Sequence, residues 1–232
     1  MKRQSCVAAR SAASKCILRK TWNTTSKNRA KGRENHMCGR YYVDDETARE
    51  IEKLVETVND KLRLERLRKD IHPTDEAPVL VAGDREMKLE WQHWGFPNFQ
   101  GKGVIFNARS EAVLEKKMFR ESILHRRIII PCTWFYEWNR KKEKVTFYRE
   151  DAPVIFLAGF YNVFGDEKRF TVLTTEANQS MVSTHDRMPL IVEPDQLKDW
   201  VLDDIKFSGI LKQTPVLLDT KQEYDQQELK FL

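Results

Sequence analysis

Cys38 follows Met37 directly, within the run from His36 to Arg40. If the chain is shortened through Met37, Cys38 becomes N-terminal and carries a thiol and a primary α-amine on adjacent carbons. Their unperturbed pKa values are roughly 8.5 and 7.7–8.0, so both groups are partly deprotonated near neutral pH. Such a 1,2-aminothiol condenses with an aldehyde to an imine and closes it into a thiazolidine ring. The alternative is an ordinary buried cysteine, a common environment for a free thiol.

Glu137 is a second candidate for chemistry, because it lies between Tyr136 and Trp138 near the end of an expected strand. A carboxylate partly buried among aromatic rings is expected to have a raised pKa. A raised pKa suits a general acid. The alternative is a carboxylate at the edge of the core that pairs with an arginine.

Two further segments place polar side chains among apolar neighbours. His185 precedes Asp186, whose carboxylate would fix the imidazole tautomer, although a lone His-Asp pair is more often structural. Asn107 and Arg109 lie at the junction of an expected strand and helix, where backbone N–H groups favour anions. An arginine at such a junction suits a phosphate, and the alternative is a structural ion pair.

The composition is that of a folded protein with a charged extension. Of the 232 residues, 41% are hydrophobic and 10% are aromatic, which is typical of a globular chain. Residues 1–36 hold ten of the 40 Lys and Arg side chains but one of the 35 Asp and Glu side chains, Glu34. The remaining residues therefore have four more acidic than basic side chains. A nucleic acid would have to bind a local basic patch of the domain.

The segment 1–36 is rich in Ser, Thr, Ala, Lys and Arg without sustained periodicity, which predicts disorder. It is consistent with a transit peptide, a nucleic-acid-binding arm, an upstream-start artefact or a segment that is removed. We therefore expect a basic extension at 1–36 and a catalytic domain at 37–232.

The cysteines favour a reducing compartment. Cys6, Cys16, Cys38 and Cys132 form no Cys-x-x-Cys pair and have no metal-ligand spacing. We therefore expect no disulfide framework, no metal and no other cofactor. No apolar run approaches the roughly 20 residues of a membrane span. These observations predict a cytoplasmic protein without membrane binding.

Hydrophobic periodicity predicts a helix at 45–69, ended by Asp70 to Pro73, since the residue before a proline avoids the α region. Ser110 is a candidate N-cap for a helix at 111–125. Shorter helices are expected at 176–183, 195–202 and 204–211.

Strand patterns with intervening turn residues dominate the middle of the chain. They lie at 78–82, 87–92, 104–106, 127–131, 144–149, 153–160, 169–175 and 190–192, with turns at Gly83-Asp84 and Gly165-Asp166. Because helices flank these strands, the order predicts an α+β fold with a mostly antiparallel, barrel-like sheet.

Four motifs in a fixed order give a more specific signal than any one of them. They are Met-Cys-Gly-Arg at 37–40, Asn-Ala-Arg-Ser-Glu at 107–111, Trp-Phe-Tyr-Glu-Trp at 134–138 and Thr-His-Asp-Arg-Met-Pro at 184–189. Together they resemble the SRAP family, the SOS-response-associated peptidases. The resemblance implies one compact domain that binds single-stranded DNA and covalently captures abasic sites. We expect it to act as a monomer.

The resemblance also implies roles by motif position. Cys38 would be the nucleophile, and Asn107 would orient its amine and the sugar. Glu137 would assist opening of the sugar to its aldehyde, and His185 would shuttle protons. Arg40 and Arg109 would hold the phosphates that flank the abasic site.

Other residues are expected to contact DNA from outside the motifs. Trp94 would stack on a base, because stacking on aromatic rings tolerates any sequence; the alternative is a core tryptophan at a strand end. A basic set could extend a DNA-facing patch or be solvated charges: Lys116, Lys117, Arg120, Arg126 and Arg127.

Two features depart from the family pattern. Thirty-six residues precede Met37, so we expect either internal initiation at Met37 or cleavage between Met37 and Cys38. The segment that often reads Asn-x-x-Pro in the family runs from Asp70 to Pro73 here, which we interpret as variation in a loop.

Two other functions stay open beside capture of abasic sites. A thiol peptidase acting on other proteins would use Cys38 and His185 as nucleophile and base. A non-covalent single-strand-binding module would use the segment 1–36 as an electrostatic arm and would show a steep salt dependence. The resemblance favours capture, with a self-processing peptidase activity that exposes Cys38 and a lyase activity in which the imine leads to β-elimination.

Overall fold

The computed structural model describes residues 39–55, 68–84, 86–99 and 101–222. The strands are β1 (Tyr41–Val43), β2 (Lys69–Ile71), β3 (Glu76–Ala82), β4 (Met87–Trp94), β5 (Phe96–Pro97), β6 (Val104–Ile105), β7 (Asn107–Arg109), β8 (Arg127–Cys132), β9 (Trp134–Trp138), β10 (Lys144–Tyr148), β11 (Ile155–Phe164), β12 (Glu167–Glu176), β13 (Arg187–Pro189) and β14 (Asp219–Gln222). The helices are α1 (Asp45–Leu54), α2 (Lys117–His125), α3 (Leu197–Leu202) and α4 (Phe207–Ile210). Cys38 and the expected extension 1–36 lie outside the described residues, so both stay predictions.

Five strands close into a barrel in the order β11, β8, β3, β4, β12 and back to β11. All neighbours in this ring run antiparallel except β4 and β12, which run parallel with Trp94 opposite Phe170. Closure removes the free edges that an open sheet would expose. The predicted α+β fold with a mostly antiparallel, barrel-like sheet is therefore confirmed.

Strand β8 shows how the hydrophobic pattern builds this barrel. Every residue from Arg127 to Cys132 is buried, as expected for a strand that is covered on both faces. Side chains alternate between the two faces of a strand. Ile129 accordingly joins a hydrophobic cluster shared with the helices, whereas Ile128 and Ile130 join a cluster shared with a second sheet.

The second sheet has five strands in the order β14, β10, β9, β1, β2, and all of its pairs are antiparallel. Tyr41, Phe135 and Phe147 on its inner face are wholly buried and belong to the same cluster as Ile128 and Leu157 of the barrel. The Phe135 and Phe147 rings stack with centroids 5.3 Å apart. This packing holds β1, which follows the motif at 37–40, and β9, which carries the motif at 134–138, against the barrel.

Gly159 is required by the close approach of three barrel strands. A Cβ at this position would lie 2.5 Å from Cδ1 of Ile130 on β8 and 2.7 Å from the carbonyl oxygen of Thr171 on β12. Any larger residue would therefore force the neighbouring strands apart.

Helix α1 begins as the sequence predicts but ends earlier. Asp44 caps it, because its carboxylate accepts the backbone N–H groups of Glu46 and Thr47. Residues 56–67 lie outside the described part. The expected helical end at Lys69 is wrong, because Lys69 pairs with Val43 in the β1–β2 ladder, which supplies its backbone hydrogen bonds instead.

Two further helix predictions are corrected. The expected helix at 111–125 is divided into a 3-10 turn at Ser110–Ala112 and helix α2, because Lys116 is extended with ψ 114°. Ser110 is not an N-cap but a buried member of that turn. The segment expected to be helical at 176–183 consists of turns, because Asn178 accepts from the Ser180 backbone and donates to the carbonyl oxygens of Pro215 and Val216.

The other predicted elements are found with small shifts. The β3–β4 hairpin and the Gly165-Asp166 turn are confirmed. The expected strand at 190–192 is displaced: strand β13 covers Arg187–Pro189, and Ile191 forms an isolated bridge with Leu157. Helices α2, α3 and α4 cover one side of the barrel through the cluster that contains Phe119, Trp200 and Phe207. None of the helices in the described part has the length and apolar character of a membrane span.

Candidate active site

Strand β9 separates a buried carboxylate from three aromatic rings on its other face, of which Trp138 is exposed to solvent. Because side chains alternate along a strand, Phe135 and Glu137 share the inner face. Glu137 is 4% exposed and lies opposite Val145 of β10 in the ladder. The predicted burial of Glu137 is therefore confirmed, but the side chains of Tyr136 and Trp138 lie on the opposite face of the strand. Burial of a carboxylate is costly unless it has polar partners, so a buried glutamate at a strand end is a candidate for chemistry.

Gly39, the first described residue, lies beside Glu137. Strand β1 pairs with β9 so that Tyr41 is opposite Phe135, and the ladder continues with a 3.0 Å hydrogen bond from Tyr136 N–H to the Arg40 carbonyl. The same register brings Gly39 opposite Glu137. A Cβ at Gly39 would lie 3.8 Å from the Phe106 ring. The residue that follows Cys38 in the chain is thus next to two candidate segments.

Strand β7, which carries Asn107 and Arg109, begins directly after Phe106, the residue whose ring lies beside Gly39. It pairs in parallel with β12, with Asn107 opposite Val172 and Arg109 opposite Thr174. The carbonyl of the preceding Phe106 accepts from the Val172 N–H at 3.0 Å. Ala108 faces the core, so the two polar side chains lie on the other face, with Arg109 exposed to solvent.

His185 is nearly buried, with 9% of its side chain exposed. Its Nδ1 accepts the backbone N–H of Arg187 at 3.0 Å, so the neutral imidazole carries its proton on Nε2. Asp186 Oδ1 also lies 3.0 Å from Nδ1, but this contact needs a proton on Nδ1, and Asp186 itself is exposed. The backbone amide, rather than Asp186 as the sequence predicted, therefore sets the tautomer. Nε2 is buried and has no hydrogen-bond partner among the described residues.

Arg187 joins the His185 motif to the Asn107 motif. Its guanidinium donates to both carboxylate oxygens of Glu111, at 2.7 and 2.8 Å, and to the carbonyl of Thr174 at 2.7 Å. Burial raises the pKa of Glu111, but the hydrogen bonds from Arg187 and the backbone, together with the charges of Arg187 and Arg109, keep the pKa below its ordinary value. Thr174 lies on β12 between the two motifs. It pairs with Arg109 of β7 on one side and with Pro189 of β13 on the other.

Arg40 is engaged by an acidic neighbour. Its guanidinium forms an ion pair with Asp70 and lies 5.3 Å from the centroid of the Tyr136 ring. Asp70 belongs to β2, where it pairs with Tyr42. The expected loop at 70–73 is therefore wrong for Asp70 and Ile71, which lie in the strand, whereas His72 and Pro73 follow it outside the strand. Arg40 Nε and Asp70 Oδ1 are both buried and lack hydrogen-bond partners within the described ranges.

Trp94 belongs to the core and not to a DNA surface. It is wholly buried, its Nε1 donates to the Phe106 carbonyl at 2.9 Å, and its ring stacks parallel to Phe170 with centroids 6.2 Å apart. A buried ring cannot stack on a base, so the structure favours the core tryptophan that was the alternative. The bond to Phe106 instead positions the segment that enters Asn107.

Arg127, which the sequence placed among the basic residues that could face DNA, is buried in the fold. It is 3% exposed and donates to carbonyl oxygens of α2 and α3, so it is neither DNA-facing nor solvated. Lys116, Lys117 and Arg120 are exposed, and Arg126 donates to the Tyr161 carbonyl.

A polar cavity of about 400 Å³ lies beside the candidate residues. It is bounded by the turn that joins β9 to β10, by Ser183 and Thr184 just before His185, and by β14. Val145, the ladder partner of Glu137, also lines it. Within the described part of the chain, no group of three or more His, Cys, Asp or Glu could hold a metal ion.

The structure thus brings Glu137, Asn107 and the start of the domain together, and it ties the His185 loop to β7. Two contacts at the site were missed from the sequence: the ion pair of Asp70 with Arg40 and the ion pair of Glu111 with Arg187. The paired residues are 30 and 76 positions apart in the chain, so no local pattern indicates either pair.

The described residues thus form a closed five-stranded barrel with a second sheet packed on it, and the candidate polar residues lie near Gly39, where the described part of the chain begins. Residues 37–230 match the family described as SOS response associated peptidase (SRAP). The chain belongs to this family, as the four ordered motifs predicted.

Curated relatives share part of this sequence. The chain is 30% identical over 146 residues to the abasic site processing protein YedK of Escherichia coli (strain K12), a match that covers 60% of this chain and 66% of the relative. It is 34% identical over 132 residues to the abasic site processing protein YoaM of Bacillus subtilis (strain 168), covering 52% of this chain and 58% of YoaM. The chain therefore spans less than two thirds of the length of these two relatives.

Solved structures share the fold. A protein from Bacteroides thetaiotaomicron superposes with a TM-score of 0.69 at 20% identity, over 81% of this chain and 93% of that one. A phage-related protein from Bordetella bronchiseptica gives a TM-score of 0.65 at 20% identity, over 81% and 95%.

Proposed function

We propose that this protein binds single-stranded DNA and captures abasic sites covalently through Cys38, once Cys38 is the N-terminal residue. The proposal is supported by membership of the SRAP family and by relatives that are named abasic site processing proteins. The observation that carries it is the position of Gly39. This residue, the neighbour of Cys38 in the chain, lies opposite buried Glu137 and against Phe106, which precedes Asn107.

The proposed reaction begins with the abasic sugar, which is a closed ring for most of the time. Glu137 donates a proton to the ring oxygen as the bond between this oxygen and C1 breaks. The C1 hydroxyl gives its proton back to the Glu137 carboxylate, which leaves the open-chain aldehyde. The α-amine of Cys38 then adds to the aldehyde carbon, and loss of water gives an imine. The Cys38 sulfur adds to the imine carbon while its proton passes to nitrogen. A thiazolidine results, and no oxidant or reductant is consumed.

His185 and Asn107 support the proton transfers in this scheme. His185 offers a proton on Nε2, which is buried and has no partner among the residues described. It would carry protons between the thiol, the amine and the departing water. General acid and base groups of this kind contribute typically 10²–10⁴-fold to a rate. Asn107 would orient the amine and the open sugar.

Arginines at the rim would hold the DNA backbone. Arg109 is exposed on β7 and is available for a charge-assisted bond to phosphate. Arg40 would hold a second phosphate after exchanging Asp70 for it. Phosphate contacts position a nucleic acid without reading its sequence, which suits capture of a lesion that has no base.

Exposure of the α-amine is part of the proposal. Either translation starts at Met37 and this residue is trimmed, or the bond between Met37 and Cys38 is hydrolysed by the protein itself. The imine that precedes ring closure also permits β-elimination at the sugar, so a lyase activity accompanies capture.

The decisive experiment uses protein that begins at Cys38 and a single-stranded oligonucleotide with one abasic site. We expect a heat-stable band of reduced mobility that is absent in the Cys38→Ala variant. Intact mass of the product checks that one water is lost on linkage. Equal bands in both proteins would overturn the proposal.

Two controls separate the other functions. A chain that keeps residues 1–37 should not form the crosslink until it is processed, because its residue 38 nitrogen is an amide. Turnover of unrelated peptides by that unprocessed chain would instead support a thiol peptidase. A non-covalent module would be supported if removal of residues 1–36 abolished DNA binding and if Cys38→Ala left it unchanged.

A further inference from the structure

The outer face of the second sheet carries an aromatic groove away from the buried carboxylate. Trp134 and Tyr136 of β9 point to this face, because Phe135 and Glu137 occupy the other. Together with Tyr148 of β10 they line a groove of about 570 Å³. This volume is in the range of sites that bind small ligands, roughly 300–1,000 Å³.

Trp134 is held in a fixed orientation. Its ring stacks on Tyr42 with centroids 4.2 Å apart and an interplanar angle of 5°, and its Nε1 donates to the Tyr136 hydroxyl. One face of the indole is therefore covered by Tyr42, while Trp134 still lines the groove. A ring that is already ordered loses little entropy when a ligand stacks on it.

Cations surround the groove. Lys144, Arg149 and Lys221 line it, against one carboxylate, Glu46. Arg149 is held by Asp151 and Glu193, and Lys144 Nζ lies 5.1 Å from the centroid of the Tyr136 ring. The charges of Lys144 and Lys221 therefore lie along the same wall as the aromatic rings. Aromatic rings combined with lysines suit a ligand that has both a flat base and a phosphate.

Strand β9 links the groove to the candidate active site, because its outer face lines the groove and its inner face carries Glu137. Trp134 is three residues from Glu137, which corresponds to about 10 Å along a strand. Trp138, next to Glu137, is exposed on the same face as Trp134. A DNA strand that leaves the site over Trp138 would reach the groove within a few nucleotides.

We propose that this groove binds an unpaired base of the single-stranded DNA that flanks the lesion, with Trp134 as the stacking platform and Lys144 and Lys221 near its phosphates. The inference rests on the proposed function and names where the undamaged part of the substrate lies. It accounts for binding of flanking DNA without any reading of sequence, because every base has a face that can stack.

The test measures binding of undamaged single-stranded oligonucleotides by fluorescence anisotropy, at a length of about 15 nucleotides. Trp134→Ala is expected to weaken binding about tenfold or more, the effect of losing one stacked base. Trp134→Phe, which keeps a ring, should bind within about threefold of the unaltered chain. Ile205→Ala is the matched control, because Ile205 is an exposed apolar side chain outside the groove.

Crosslinking separates the groove from the chemistry. With an abasic trinucleotide, Trp134→Ala should react at the unaltered rate, whereas with the long oligonucleotide it should need about tenfold more DNA for the half-maximal rate. Tyr148→Ala is a second variant on β10, and thermal unfolding confirms that each variant is folded.

The outcomes distinguish the two proposals. If folded Trp134→Ala binds long DNA as the unaltered chain does, or if it loses reactivity equally on the trinucleotide, the groove assignment is overturned. A proline-rich or acidic peptide whose binding alone depends on Trp134 would also overturn it. If no variant crosslinks and Trp134→Ala still weakens binding of undamaged DNA, the groove stands and the capture mechanism fails.

Discussion

Arg127 on the helical side of the barrel and Arg40 beside the candidate site are both partly or wholly buried cations with opposite environments. Arg127 donates to the Trp200 carbonyl at 2.6 Å, to the Ile123 carbonyl at 3.2 Å and to Asp204 at 2.7 Å, and it lies 4.3 Å from the Phe207 ring. Arg40 has Asp70 as its ion-pair partner, and its Nε has no partner among the described residues.

The difference indicates what each region is built for. Most buried polar groups in folded proteins have hydrogen-bond partners, so unsatisfied ones call for a specific explanation. At Arg127 the partners join α2, α3 and the barrel into one unit. At the candidate residues, Arg40 Nε and His185 Nε2 are buried without hydrogen-bond partners in the described part of the chain, which is the arrangement expected where a substrate supplies the missing partners. Variants on the two sides should therefore change different quantities.

The largest effect is expected for Glu137→Gln, which keeps the shape of the side chain and removes its proton donor. Crosslinking in a single turnover should slow about 10²–10⁴-fold, while the free energy of unfolding should change by less than about 1 kcal/mol. The matched control is Glu150→Gln, an exposed glutamate outside the site. An unchanged rate would remove Glu137 from the proposed mechanism.

On the helical side, Arg127→Met should act on stability instead. It leaves the carbonyl oxygens of Trp200 and Ile123 without their donor, and unsatisfied buried groups cost about 1–3 kcal/mol each. We expect urea unfolding to report a loss of about 3 kcal/mol or more. Asp204→Asn is the control and should cost less than about 1 kcal/mol, because Asp204 is 73% exposed. If the folded Arg127→Met variant crosslinks more slowly than the unaltered chain, the proposed division between a structural and a reactive region is contradicted.

Asp70→Asn tests whether Arg40 is restrained by its neighbour. Removal of the carboxylate charge should free the guanidinium for a phosphate, so undamaged single-stranded DNA should bind more tightly at low salt. The slope of log affinity against log salt should steepen by about 0.7, the value of one phosphate contact on a single strand. Asp45→Asn removes the same charge from the exposed Asp45–Arg68 pair and should leave the slope unchanged. Equal slopes for both variants would contradict the restraint.

The smallest effect concerns the Glu111–Arg187 pair, and it depends on pH. Since the folded-state pKa of Glu111 is below its ordinary value of 4.5, the pair stabilises the fold above that value. The contribution is lost as the pH falls through the lower folded value. The unaltered chain should exceed Glu111→Gln in stability near neutral pH by less than about 1 kcal/mol, because Glu111 is half-exposed. In acid the two unfolding curves should converge; a constant gap would assign the difference to another cause.

Much of this structure was predictable from alternation in the sequence. The β3–β4 hairpin and the fully apolar run of β8 followed from local patterns, because a strand's two faces are read directly from every second residue. The candidate residues Asn107, Glu137 and His185 were found from motifs in which polar side chains interrupt apolar runs.

Local patterns failed where distant contacts decided the outcome. Lys69 continued a helical pattern but pairs with Val43 in β2, and the turns after β12 follow from the bonds of Asn178 to residues near β14. The sequence left Trp94 open between a ring that stacks on DNA and a core residue, and barrel closure buries it against Phe170. Each of these outcomes depends on a partner far away in the chain.

The sequence by itself determined the strands, the family and the identity of the candidate groups, because each is encoded in neighbouring residues. Only the tertiary structure decided which residues meet: that Gly39 lies beside the Phe106 ring, that Arg187 ties His185 to β7 through Glu111, and that Asp70 pairs with Arg40. The physical reason is that hydrogen bonds and ion pairs across strands depend on register and closure, and these are set by packing of the whole barrel.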